Sequence, residues 1–407
     1  MYGFRKPFTA ASYANMTVWG MDYKTVIVTA QVLGYMTSKF IGIKMVAEIS
    51  HERRIARIVV LIAVAEFALI LFGLVASPWN FVFLFLNGLP LGMVFGLVVG
   101  VLEGRRQTEL LTAGLCASFI LADGVTKSVG SWLLQLGLPE FWMPAAAGLV
   151  FSVPLLIFVA MLANVPPPNP EDVLARSERL PLDSIARKQF FRRHASGLVF
   201  LVSAYTLVTI LRSIRADFAA EIWSGLGLTI VPEIFTRSEM LVAATVFLIN
   251  GLTAFIQDNR RAFHVAMSIS MLGLVLLLAA PFCHQAGLCD GFTFMVLVGL
   301  GLYLPYVAVQ TTIFERLIAL TRDRGNLGYL ISLADAFGYL GYVAVMLGKN
   351  AVPIGSGFLV FFVWTSVSIG VLAIIALGLA WRDFLSRSSK NSATLSTSEE
   401  FKGVRTH

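Results

Sequence analysis

Charge is scarce in this sequence. Of 407 residues only 14% are Asp, Glu, Lys or Arg, while 57% are hydrophobic and the mean hydropathy is +0.78. A soluble domain cannot hide that much apolar surface, so a water-soluble globular protein is excluded and the long apolar runs read as transmembrane helices. Cysteine is equally sparse: Cys116, Cys283 and Cys289 show no zinc or redox spacing. The five histidines, His51, His194, His264, His284 and His407, form no metal or nucleophile set. The longest interior polar stretch, Val165 to Ser196, is about 32 residues, too short for a catalytic domain. The reading is therefore no enzyme, no metal and no cofactor. A cleavable signal peptide is also not expected, because Met1 leads into apolar sequence without a basic n-region.

What is there is a succession of apolar runs long enough to span a bilayer. Only a stub of a first span, Met1 to about Ala14, opens the chain. Further spans are expected near 25–48, 58–75, 81–102, 110–134 and 141–164. After the polar linker they resume near 197–222, 239–256, 264–283, 292–314, 327–348 and 357–381. The Ser/Thr/Lys-rich tail from Arg382 to His407 is expected to be disordered.

Lys and Arg set the orientation. One set of alternate loops, with the linker and tail, carries 21; the other carries three, Lys24, Arg237 and Lys349. The linker and C-terminus are therefore expected in the cytoplasm, with Cys283 and Cys289 outside, where a disulfide and two free thiols are both open. The same bias accounts for the net charge of +7 without a nucleic-acid partner. The two halves also repeat. Ile120-Leu121-Ala122-Asp123 recurs as Ser332-Leu333-Ala334-Asp335, Glu103 as Glu315, Arg53-Arg54 as Arg260-Arg261, and Phe8 with Ala10 as Phe218 with Ala220. Two six-span halves joined by a basic linker describe the major facilitator architecture. The expected organisation is an all-α membrane protein: an N-terminal bundle at 1–164, a cytoplasmic linker at 165–196, a C-terminal bundle at 197–381 and a tail at 382–407. By that repeat the first helix lacks its N-terminal part, as if the start lay further upstream.

Seven cations lie inside spans: Arg5, Lys6, Lys39, Lys44, Lys127, Arg212 and Arg215. An ionisable residue in a span is costly and points to function. Arg5-Lys6 and Arg212 with Arg215 take matching places in the two halves, and a guanidinium fork suits carboxylate or phosphate. With Lys39 they are read as ligands of one anion, with pairing to Asp123, Asp217 or Asp335 as the structural alternative. Phe4-Arg5-Lys6-Pro7-Phe8, Ser38-Lys39-Phe40-Ile41 and Leu211-Arg212 resemble the first, second and seventh helices of the organophosphate:phosphate antiporters within the major facilitator superfamily. The chain as a whole resembles an uncharacterised major-facilitator-like family. The antiporter resemblance implies Arg5 and Arg212 as phosphate ligands with Lys39 nearby, and the superfamily implies a monomer.

Asp123 and Lys127 are spaced i, i+4 with the acid first, which favours a pair on one helix. The alternative is that Asp123 and Asp335 carry a coupling proton. Tyr303, Tyr306 and Gln310, with Tyr339 and Tyr342, are candidates to line a polar cavity, although aromatics in spans usually pack. Gly88, Gly92, Gly96, Gly100 and Gly104 bare one helix face for close packing. The expected function is secondary transport of a small anionic solute, phosphorylated or carboxylated, across the cytoplasmic membrane. Proton-coupled movement of a neutral solute and a non-transporting sensor on the same scaffold stand as alternatives.

Overall fold

The computed structural model describes residues 1–14, 16–47, 51–102, 108–166, 184–321, 327–349 and 357–403, and the surroundings of side chains within 1–14, 16–39, 54–98, 110–166, 195–317, 334–348 and 357–385. The linker at 167–183, and the side chain of Lys44, lie outside these.

The chain opens without a long helix. Where a helical stub was expected over Met1 to Ala14, Tyr2–Phe4 and Pro7–Ala10 form two 3-10 turns. Pro7 supplies no backbone donor, so an α-helix through this short segment would lose a bond there. A hairpin follows, β1 (Thr17–Val18) against β2 (Met21–Asp22), turned by Trp19 and Gly20 at φ 53° and 73°, the positive-φ pair such two-residue turns require.

Five long helices complete the N-terminal half: α1 (Tyr23–Ala47), α2 (His51–Leu74), α3 (Phe81–Leu102), α4 (Thr108–Gln135) and α5 (Met143–Ala163). The second half runs α6 (Ser184–Asp217), the short α7 (Ala219–Gly225), α8 (Pro232–Thr253), α9 (Asn259–Gln285), α10 (Gly291–Ala308), a π turn (Val309–Ile313), α11 (Phe314–Thr321), α12 (Leu327–Lys349) and α13 (Phe358–Gly403). Helix α6 starts 13 residues before Gly197, where the span was expected. Helix α13 continues to Gly403, through the stretch where composition predicted disorder. Among the described residues nine helices are long and apolar enough to cross a membrane.

The molecule is apolar outside and polar within. Leu149, Val153, Leu156, Phe158 and Met161 of α5 are exposed, as are Phe67 of α2 and Trp364 of α13. Arg5, Lys6, Asp123, Lys127, Arg212, Arg215, Asp217, Glu239 and Asp335 are buried. A bilayer solvates the first set, and each member of the second needs a partner inside the protein. Within the N-terminal half, α1 and α3 meet backbone to backbone. A Cβ on Gly88 would lie 2.3 Å from the Gln31 carbonyl oxygen, and one on Gly34 would lie 2.1 Å from that of Phe85. Part of the glycine stripe is therefore a packing seam. The two halves meet along α4 with α8 and along α1 with α12.

Candidate functional site

A buried non-helical segment must satisfy its backbone polar groups from elsewhere. The opening turns do so through amide side chains. Gln31 on α1 donates to the Arg5 carbonyl (2.8 Å) and to Asn87 Oδ1 (2.8 Å), and Asn87 on α3 donates to the carbonyls of Phe4 (3.0 Å) and Ala65 (2.9 Å). Lys24 donates to the Thr9 carbonyl (2.8 Å). Arg5 and Lys6 are thereby fixed at the junction of the two halves, opposite the C-terminal end of α6. That helix breaks at Phe218, directly after Asp217.

Tyr2, Arg5, Lys6, Val32 and Asp123 from the first half and Arg212, Ser213, Ala216, Asp217, Tyr303 and Tyr339 from the second surround one cavity. It has room for about one water.

The charges around it sort into two kinds. Lys6 is bonded to Asp217, whose second oxygen accepts from the Tyr342 hydroxyl (2.8 Å). Asp123 is bonded to Lys127 on the same helix. These pairs cancel. Arg5 and Arg212 have no carboxylate partner among the described residues. The Arg5 guanidinium stands 3.8 Å over the Tyr35 ring and 5.8 Å from that of Tyr339. Arg212 stands 4.4 Å over Tyr306 and 5.9 Å from Tyr303. Both leave Nε buried and unbonded. A cation–π contact returns about 0.5–2 kcal/mol, less than the several kcal/mol that burying an ion costs. Two uncompensated positive charges thus face one enclosed space.

The other expected ligands sit apart. Arg215 pairs with Glu239 on α8 (2.7 Å) and donates to the Met295 carbonyl (3.0 Å), outside the cavity lining. Lys39 pairs with Asp335 across the α1–α12 contact. Asp335 also accepts from the Tyr205 hydroxyl (2.5 Å), and Gln310 in the π turn donates to Tyr205 (2.6 Å) and Tyr306 (2.9 Å). Asp123 and Asp335, expected as one coupling set, therefore belong to separate clusters. Tyr303 and Tyr339 reach the cavity, while Tyr306 stays beneath Arg212. A further inter-half pair, Lys24 with Glu221 of α7 (2.6 Å), lies at the opposite end of α1 from Lys39.

Sequence reasoning missed Tyr2, Tyr35, Glu221 and Glu239. Glu239 had a findable signal. Pro232 is the first residue of α8, the position where proline favours a helix start, and this puts Glu239 two turns inside rather than at the span's end.

Residues 7–387 match a family described as a family of unknown function (DUF5690). No curated protein matches the chain. Among solved structures the chain is similar to the human organic anion transporter MFSD10 (TETRAN), at 16% identity and TM-score 0.53, over 88% of this chain and 83% of that one. It is similar too to a bacterial homologue of the iron transporter ferroportin in an outward-facing state, at 16% identity and TM-score 0.54, over 94% and 95%. At these identities the likeness concerns the fold, which is the all-α major facilitator fold of two helical bundles.

Proposed function

The chain belongs to the DUF5690 family of unknown function, and from that premise we propose that it is a secondary transporter moving a small anion across a membrane by alternating access. The observation that carries this is the pair of guanidinium groups, one from each half, held over tyrosine rings and facing a shared cavity with no carboxylate partner among the described residues. Arg5 and Arg212 are the anion ligands. Lys6 is an auxiliary cation that Asp217 restrains, and Tyr303 and Tyr339 shape the space. Lys39 and Arg215 act at a distance through Asp335 and Glu239. The linker and C-terminus face the cytoplasm, on the distribution of 21 basic residues against three. The motif likeness to organophosphate:phosphate antiporters makes phosphate esters the first solutes to try.

The test is exchange by the purified chain in vesicles, across a panel of inorganic phosphate, phosphate monoesters and dicarboxylates. Arg5→Ala and Arg212→Ala each remove a charge-assisted contact of about 1.5–3 kcal/mol, which is about 10- to 150-fold in affinity. Wild-type affinity in both variants would remove the assignment.

A further inference from the structure

Behind Arg212, a line of hydrogen bonds leads away from the cavity to the contact between the halves at α1 and α12. Arg212 rests on the Tyr306 ring at 4.4 Å, and that ring is stacked on Tyr205, with centroids 5.1 Å apart and 21° between the planes. Gln310, in the π turn, donates from Nε2 to both hydroxyls, at 2.9 Å to Tyr306 and 2.6 Å to Tyr205. Tyr205 donates to Oδ1 of Asp335 (2.5 Å), whose Oδ2 holds Lys39 of the first half. The direction of these bonds is fixed from the far end. A carboxylate paired with Lys39 only accepts, so the Tyr205 proton goes to Asp335 and the Tyr205 oxygen must accept from Gln310. The amide therefore turns its nitrogen, not its carbonyl, to the two rings, and Oε1 lies 3.5 Å from the Cys116 Sγ. Tyr205, Tyr306, Gln310 and Asp335 are each at most 4% exposed, so a bond lost here leaves a polar group unpaired. The π turn sits where Gln310 reaches back to Tyr306, and such turns recur at functional sites.

We propose that Gln310 and Tyr205 are positioning residues that couple the anion site at Arg212 to the Lys39–Asp335 pair. The pair is the two-state element such a coupling needs: it is made when the halves meet along α1 and α12 and broken when they part there. With Lys39 withdrawn, Asp335 is an uncompensated buried carboxylate and draws harder on the Tyr205 hydroxyl. Gln310 holds both hydroxyls, so the Tyr306 ring follows Tyr205 and the seat beneath Arg212 changes. In the other direction, an anion that lifts Arg212 off the Tyr306 ring frees the stack and weakens the hold on Asp335. By linkage the two effects are equal in free energy. No proton or covalent bond changes hands. The anion's part in this rests on the transport reading above; the relay from the ion pair to the Tyr306 ring does not.

The experiment is fluorine NMR of the full chain carrying fluorotyrosine, in lipid bilayers and without solute, with the Tyr306 signal assigned by its loss in Tyr306→Phe. Lys39→Gln should displace that signal although Lys39 belongs to the other half. Adding Gln310→Met, which keeps the side-chain length and removes both bonds, should abolish the displacement, whereas a through-space effect of the lost charge would survive it. A Tyr306 signal indifferent to Lys39→Gln, or displaced equally in the Gln310→Met background, overturns the proposal. If Lys39→Gln does not fold, Lys39→Gln combined with Asp335→Asn, which strands no charge, replaces it under the same criteria. The anion end is read as exchange in vesicles across inorganic phosphate, phosphate monoesters and dicarboxylates. For any of these that exchanges, Lys39→Gln should change the half-saturating concentration by about 5-fold or more, and should not do so in the Gln310→Met background. No change, or an equal change in both backgrounds, overturns the coupling. A Tyr306 signal that follows Lys39 in a protein exchanging no anion leaves the relay standing and sinks the transport reading. Exchange with an indifferent signal does the reverse.

Discussion

Arginine is the residue type whose unusual placement was most legible. Its charge stands out in an apolar run, and no protonation change can remove it. Arg5 and Arg212 were therefore visible before any coordinates. Their tyrosine partners were not, because an aromatic ring in a span usually packs, and nothing local distinguishes Tyr35 from a packing ring. Glycine at 124 gives a prediction at the same scale. A Cβ there would lie 2.6 Å from the Phe235 carbonyl oxygen, a backbone atom that cannot swing aside. Gly124→Ala should cost about 1–3 kcal/mol through overpacking, read as a lowered thermal midpoint in detergent, and should lower the exchange rate by wedging the α4–α8 seam.

Among elements, the long helices were readable from apolar run length alone, and their observed bounds follow the expected spans closely for α1, α3, α4 and α12. The opening segment was not. Its geometry depends on Gln31 and Asn87, far along the chain, whose amides replace the hydrogen bonds a helix would have made internally. No local pattern announces such a rescue. Two helix starts yield predictions. Asp258 accepts from the Arg261 amide at 2.6 Å as the cap of α9, so Asp258→Ala should destabilise by about 1 kcal/mol, with Asn restoring most of it. Asp290 caps α10, and its bonds from Thr293 hold its carboxyl below the usual carboxylate range. A depressed carboxyl contributes above its unfolded pKa of about 4 and loses that contribution as pH falls through its folded value. Hydrogen exchange at the start of α10 should accordingly quicken in acid, and Asp290→Asn should flatten that response.

At the scale of the whole molecule, two ion pairs join the halves on either side of the cavity. Lys24 and Lys39 are 15 residues apart on α1, about 22 Å at helical rise, and their partners Glu221 and Asp335 belong to the other half. Removing one member of the Lys39–Asp335 pair strands a buried charge, so Lys39→Gln should lower stability by about 3–5 kcal/mol. The double variant with Asp335→Asn should lose less than Lys39→Gln alone, and a loss in thermal unfolding equal to the sum of the two single losses would show the pair to be uncoupled.

The placement of Arg5 and Arg212 on opposite halves has a kinetic consequence. On the proposed transport reading, the two like charges oppose the approach of the halves when no solute is present. A doubly charged solute turns that repulsion into a bridge, so the loaded protein closes more readily than the empty one. Swapping solute for solute across a vesicle wall should then outrun one-way emptying of the same vesicles.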